Sequence, residues 1–213
     1  MNVENQIEAG RKKAVWGARA LVVIAASAGL FAPSCSKLIR TGQSPAFLIL
    51  NSLRAAPGSA GGAGGSFGST LASDVVALVG TPPTPTVFAD SGQASFQLQL
   101  KDTTSGSGPT PVNAITITQY HVKYIRSDGR NVQGVDVPFE FDGAVTETIA
   151  DSGTVTFTLV RVQAKEEAPL RALRNGGAPI TTVAEVTFYG HDQNGRDVTV
   201  SGRIEVSFAN WGD

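Results

Sequence analysis

The sequence predicts an all-β protein: an antiparallel β-sandwich with one short helix, preceded by an N-terminal signal segment. Three observations predict it. From Gln93 to the C-terminus, short runs alternate apolar and polar residues, the period-2 pattern of sheets with one wet face. Turn dipeptides such as Asp128-Gly129 and Asn194-Gly195 separate those runs. The composition also leans away from helices, with 24 glycines, many Thr and Val residues and only 16% charged residues.

The chain divides into three expected parts. Residues 1–34 read as a signal peptide: Arg11, Lys12 and Lys13 form a basic start, and Leu21 to Ala32 (LVVIAASAGLFA) form a short apolar core. A membrane span needs about 20 apolar residues, so this run fits a cleaved leader better than a span. Residues 35–92 are expected to be membrane-proximal. They hold an apolar strand at Ala46 to Leu53, a glycine-rich tract over residues 57–69, a second strand at Asp74 to Val79 and a Pro-rich connector, Thr81 to Thr86. The glycine-rich tract reads equally as a tether or as a long loop between two strands. Residues 93–213 are the expected sandwich domain.

Within that domain each element has its own signal. Phe96, Leu98 and Leu100 alternate with polar partners. Ile115 and Ile117 face one way while Tyr120, Val122 and Tyr124 keep the opposite parity, so a bulge near Gln119 is expected to restore the inward set. Phe139 to Gly143 reads as a strand leading into a turn. Val155, Phe157 and Leu159 form the next strand. The helix is expected around Glu166, Glu167 and Pro169, with Leu170 and Leu173 on one face and Asn175-Gly176 at its end. Ala184, Val186 and Phe188 lead to the Asn194-Gly195 hairpin turn, and Val198, Val200, Ile204, Val206 and Phe208 follow. The core is expected to contain Phe96, Leu98, Ile117, Val122, Phe157, Val186, Phe188, Ile204 and Val206.

Two resemblances extend this reading. Ala32-Pro33-Ser34-Cys35 resembles the lipobox of exported bacterial lipoproteins, with Ala32 where an aliphatic residue is usual. The resemblance implies cleavage before Cys35, the only cysteine, and its lipidation. Ser36 in place of an Asp then implies the outer membrane. Two other outcomes remain open: ordinary secretory cleavage near Ala26-Ser27-Ala28, and an uncleaved anchor extending back past Arg19. The run Ala184 to Val198 resembles the final hairpin of immunoglobulin-like and fibronectin-type-III-like domains. The whole chain is similar to uncharacterised exported lipoproteins, which implies a tethered sandwich and no particular activity. The disulfide and core Trp of antibody domains are missing here.

Candidate chemistry is sparse. The net charge is −1, and the first 34 residues carry four basic against two acidic side chains, so the remainder is mildly acidic. Such a surface is not one for nucleic acid. His121 shares parity with Gln119 and Lys123 and is expected on the solvent face. His191-Asp192 precedes a turn, and adjacent strand residues point to opposite faces, so a turn contact outweighs an acid–base pair. Asp192, Asn194 and Asp197 lack the remaining oxygen ligands of a calcium loop. Glycines 61, 62, 64 and 65 lack the Lys-Ser/Thr of a phosphate loop. Glu166 and Glu167 point in different directions on a helix. Accordingly no catalytic residue, cofactor or metal is expected. Among the aromatic residues Tyr120, Tyr124, Phe139, Phe141, Tyr189 and Trp211, which could line a sugar platform, Trp211 is the expected exposed contact. The sequence thus points to a lipid-anchored binding or structural module of the cell envelope. Its expected partners are the membrane and an envelope protein or glycan; the alternatives are a glycan-acting enzyme or accessory domain, and an assembly subunit that pairs by strand addition.

Overall fold

The computed structural model describes residues 44–58, 65–102, 104 and 108–212. Cys35 and the leader over residues 1–34 lie outside the described residues. Among these described residues ten strands form two main sheets and a small hairpin. They are β1 (Ala46–Ala56), β2 (Thr70–Asp74), β3 (Ala77–Val79), β4 (Thr84–Thr86), β5 (Asp90–Leu100), β6 (Ile115–Ile125), β7 (Phe141–Ile149), β8 (Ser152–Val160), β9 (Ile180–Asp192) and β10 (Asp197–Ala209). One sheet runs β1-β5-β8, the other runs β2-β10-β9-β6-β7, and β3 pairs with β4. Labelled A, B, C, C′, E, F and G, strands β1, β5, β6, β7, β8, β9 and β10 give A-B-E facing G-F-C-C′, the immunoglobulin-like order without a D strand. All pairings are antiparallel except β2 with β10, which is parallel.

The two sheets meet through aromatic rings. Phe96 and Phe157 project from the three-stranded sheet onto Phe188 of the other, with centroids 5.0 and 5.2 Å away and near-perpendicular planes. Tyr120 packs 5.0 Å from Phe157 and 6.2 Å from Phe141. Such edge-on pairs add about 0.5–1.5 kcal/mol each beyond the area they bury. All nine expected core residues are buried. Tyr124 stands on Phe208, and its hydroxyl donates to the Leu159 carbonyl across the sandwich at 2.6 Å. Burial, with the nearby Asp90 charge, pushes the Tyr124 phenol up from its ordinary value.

Several expectations are refined. The register slips between Ile117 and Gln119, where the parity change placed a bulge. The single helix is two, α1 (Val162–Glu166) and α2 (Leu170–Leu173). Pro169 has no N–H to donate and disfavours helical geometry at Ala168, so the run breaks between them. The strand expected over Asp74–Val79 breaks after Asp74, where Val75 turns inward and donates its N–H to the Ala209 carbonyl. Phe141 begins β7 rather than ending a strand, and no turn forms at Gly143. A Cβ at Gly143 would fall on the Tyr120 ring, so glycine here makes room for an aromatic neighbour. Ala55 and Gly68 exchange backbone hydrogen bonds of 2.9 and 2.8 Å, and β1 and β2 are both built into the sandwich.

A buried ion pair ties α1 to the sheets. Lys165 and Asp90 are each 1% exposed, and Lys165 Nζ lies 2.9 Å from the carboxylate. The Ser73 hydroxyl and the Gly58 N–H also donate to that carboxylate, at 2.6 and 2.8 Å. Three segments therefore converge on one side chain of β5. No helix among the described residues is long and apolar enough to cross a membrane.

Candidate functional site

The outward face of the five-stranded sheet is set by the same alternation that fills the core. Phe188 points in, so Tyr189 points out, and it is 39% exposed. Strand register then fixes its row: Thr199 on β10, Tyr189 on β9, Gln119 on β6 and Ala144 on β7. The next row is Ser201, Thr187, His121 and Asp142. Hydroxyls pair across strands at 3.0 Å, Thr187 with Ser201 and Thr116 with Thr148. Long ionic side chains begin one row further on, where Arg203 bridges to Glu185 at 2.6 Å. Tyr189 thus stands above a field of short polar groups rather than under a canopy of Lys and Glu.

Beside that row the surface dips. Next to the β6 bulge lies a shallow cavity of about 420 Å³ lined by Thr118, Gln119, Asp142, Gly143 and Ala144. His121 is paired with Asp142, one of the lining residues. Its Nδ1 lies 3.0 Å from Asp142 Oδ1 and its Nε2 lies 3.7 Å from Glu140 Oε2. The His121 side chain is 26% exposed and that of Asp142 62%. The patch can therefore offer an aromatic face, an amide and a carboxylate held by an imidazole. Among the described residues no group of three or more His, Cys, Asp or Glu side chains is arranged to hold a metal.

The other candidates fall elsewhere. Trp211 lies past the opposite end of β10 from the Tyr189 row, and its ring N–H is already donated to the Ser73 carbonyl at 3.2 Å. The residue is 41% exposed. Near it, Val76, Leu78, Pro85, Arg174, Asn175, Asn210 and Gly212 line an open cleft of about 580 Å³. His191 Nδ1 contacts the Asp192 carbonyl and no carboxylate. Asp192 Oδ1 accepts the N–H groups of Asn194 and Arg196 at 2.9 Å each, an Asx turn that shapes the hairpin. Burial raises the Asp192 carboxyl, but the Arg196 N–H, the Ser44 hydroxyl, the Asn194 N–H and the Arg196 charge outweigh it and hold the group below its ordinary range. Glu166 pairs with Arg174 at 2.7 Å, and Glu167 accepts from Gln163. Of the six aromatic candidates, Tyr120, Tyr124 and Phe141 are buried, while Phe139, Tyr189 and Trp211 are exposed.

The contact between His121 and Asp142 was not visible in the sequence. Its only signal is cross-strand register, which the bulge shifts by one residue. Comparison of the chain with protein-family models, with curated proteins and with solved structures finds no match in any of the three. Any function for the patch rests on its own chemistry.

Proposed function

We propose that this chain is an exported, lipid-anchored binding module of the cell envelope that holds a glycan on the outer face of its five-stranded sheet. The observation that carries the reading is Tyr189, an exposed ring in a flat field of hydroxyl, amide and carboxylate groups. A sugar ring stacks its apolar face on an aromatic ring while its rim hydroxyls pair with such polar groups. Asp142 sits two strands across from Tyr189 and one row along, about 12 Å at the usual strand spacing and rise, a distance a short oligosaccharide covers. The basic start, short apolar core and lone Cys35 support export and a lipid anchor, and Ser36 in place of Asp supports the outer membrane. A lipidated cysteine with more than one acyl chain gives a stable anchor.

A glycan array probed with the whole chain in detergent tests the binding reading. Retention on at least one polysaccharide is expected, with Tyr189→Ala weakening it about 30-fold, the loss of a central aromatic contact worth about 2 kcal/mol. Binding that Tyr189→Ala leaves intact, or no binding at all, overturns it. Intact mass tests the anchor separately: a chain that begins at an acylated Cys35 is expected, and one that begins after Ala28 with a free thiol refutes lipidation.

A further inference from the structure

We infer that Lys165 and Asp90 are a site of covalent self-modification: as the folded chain ages, the buried ion pair condenses to an amide between Lys165 Nζ and Asp90 Cγ and releases one water. The inference does not rest on the glycan patch or on the lipid anchor.

Contact comes first. Lys165 Nζ lies 2.9 Å from both carboxylate oxygens of Asp90. A nitrogen equidistant from two such oxygens stands about 3–3.5 Å or less from the carbon between them, which is near-attack range. Both side chains are 1% exposed, so bulk water is kept from the pair. Groups held in this way react as though at effective concentrations of about 10⁵–10⁸ M, and the exclusion of water disfavours the reverse hydrolysis.

Two donors prepare the carboxyl group. The Ser73 hydroxyl donates to Oδ2 at 2.6 Å and the Gly58 N–H donates to Oδ1 at 2.8 Å. Donors fixed on these oxygens draw electrons from the carbon and hold the charge that gathers on oxygen as an amine adds. The atoms balance without an oxidant, a cofactor or a second molecule. The ammonium passes one proton to a carboxylate oxygen, which leaves a neutral amine beside a neutral acid. Nζ then adds to Cγ and gives the same oxygen a second proton, the C–O bond breaks, and that oxygen departs as water. An ammonium has no lone pair with which to attack, so the proton transfer must come first and the step is slow. The newly folded chain therefore carries the ion pair, and the amide accumulates with age.

What favours the product is the loss of two buried charges. An ion pair taken out of water regains little of what the burial of its charges costs, whereas an amide carries no net charge. The new bond would join β5 to α1 across 75 residues. A cross-link of that span restricts the unfolded chain as a disulfide does, and the single cysteine of this chain, Cys35, cannot close an internal disulfide.

Intact mass of the whole chain, purified and kept folded for weeks, tests the proposal. A growing fraction should become lighter by one water, at a rate independent of protein concentration, and digestion should give a branched peptide that joins Lys165 to Asp90. The same chain kept in urea should form none, because the two groups then stand 75 residues apart along a coil. Lys165→Arg keeps a cation beside Asp90 without the amine and should form no link. Asp90→Asn should lose ammonia instead and reach the same final mass as the aged parent, since both routes end in one amide. An unchanged mass in the aged parent overturns the proposal, and so does equal loss of water in urea. A loss that maps only to Asp128-Gly129 or Asp142-Gly143, where the backbone itself can close a ring, overturns it as well. Where either variant fails to fold, the digest of the parent decides.

Discussion

One lysine–carboxylate cluster is buried in this fold and one histidine–carboxylate cluster lies at its surface, and they do opposite things. Lys165 and Asp90 are 1% exposed, locked by Ser73 and Gly58 as well as by each other. His121, Asp142 and Glu140 are built from the same kinds of group, yet all three are open to water. The buried cluster has internal partners for both of its charged groups and joins β5, β2, α1 and the segment after β1. The open cluster keeps bonding capacity for a ligand. Burial rather than residue type separates a structural tie from a candidate site here, because a buried charge must be satisfied and an exposed one need not be.

The sharpest way to break that contrast is to remove one partner of the buried pair. Lys165→Met leaves the Asp90 carboxylate in the core without its cation and should cost about 3–5 kcal/mol, read as a fall in the urea midpoint. Asp90→Leu should cost a similar amount by stranding Lys165. Replacing Lys165 by Met, Asp90 by Leu and Ser73 by Ala together should recover most of the loss, since apolar groups of similar volume often substitute without penalty. A triple variant as unstable as either single one would mean that the pair is not what ties these segments.

A smaller effect is expected where the two regions touch. Gly143 lines the shallow cavity on its outer side, while Tyr120 fills the space its side chain would take on the inner side. Tyr120 is hemmed in by Phe141 and Phe157 and has nowhere to move. Gly143→Ala should therefore destabilise by about 1–3 kcal/mol, the usual cost of overpacking. Gly129→Ala, on an exposed turn with open space around it, should show only the strain of its positive φ of 80°. Equal stability of Gly143→Ala and the parent in urea would show that the cavity floor is not fixed by the core.

How much of this was legible in the sequence follows from the range of each interaction. Alternation is local, so the central strands, the inward set and the slip near Gln119 could be read from neighbouring residues, whereas β3, β4 and the course of β7 could not. Turn chemistry is local too, and Asp192 through Gly195 reads as the hairpin it forms. Tyr189 follows from the parity of Phe188. What stayed hidden depends on partners far along the chain. Lys165 and Asp90 are 75 residues apart and neither carries a burial signal of its own. Gly143 looks like a turn residue until Tyr120 is placed beside it. His121 meets Asp142 only after the bulge has set the register. The break between α1 and α2 had a local cause in Pro169, but Pro at a first turn and Pro in a break look alike without the neighbouring geometry.

Acid should separate the structural carboxylates from the open ones. The Asp192 carboxyl is held below its ordinary range in the folded chain. A carboxyl whose folded pKa is depressed adds stability above its unfolded pKa of about 3.9, and that stability is lost as pH falls through the lower folded value. Asp192→Asn keeps an oxygen to accept the Asn194 and Arg196 N–H groups but cannot titrate. The parent should therefore lose more stability than Asp192→Asn as the pH falls below about 3.9. Parallel acid-unfolding curves for the two chains would show that the turn does not depend on the charge.

The smallest expected effect lies at the open cluster, and it sharpens the comparison from the other side. His121 makes its two polar contacts at the surface, and Tyr189 leans on short side chains that need no cover. His121→Ala and Tyr189→Ala should each change stability by no more than about 0.5 kcal/mol, as surface substitutions away from special features do. Urea midpoints within that range, together with lost glycan retention for Tyr189→Ala, would mean that the outer face contributes little to the fold and is free to serve a ligand. A loss of several kcal/mol in either variant would place these residues with Lys165 and Asp90 as structure, and the contrast between the two clusters would collapse.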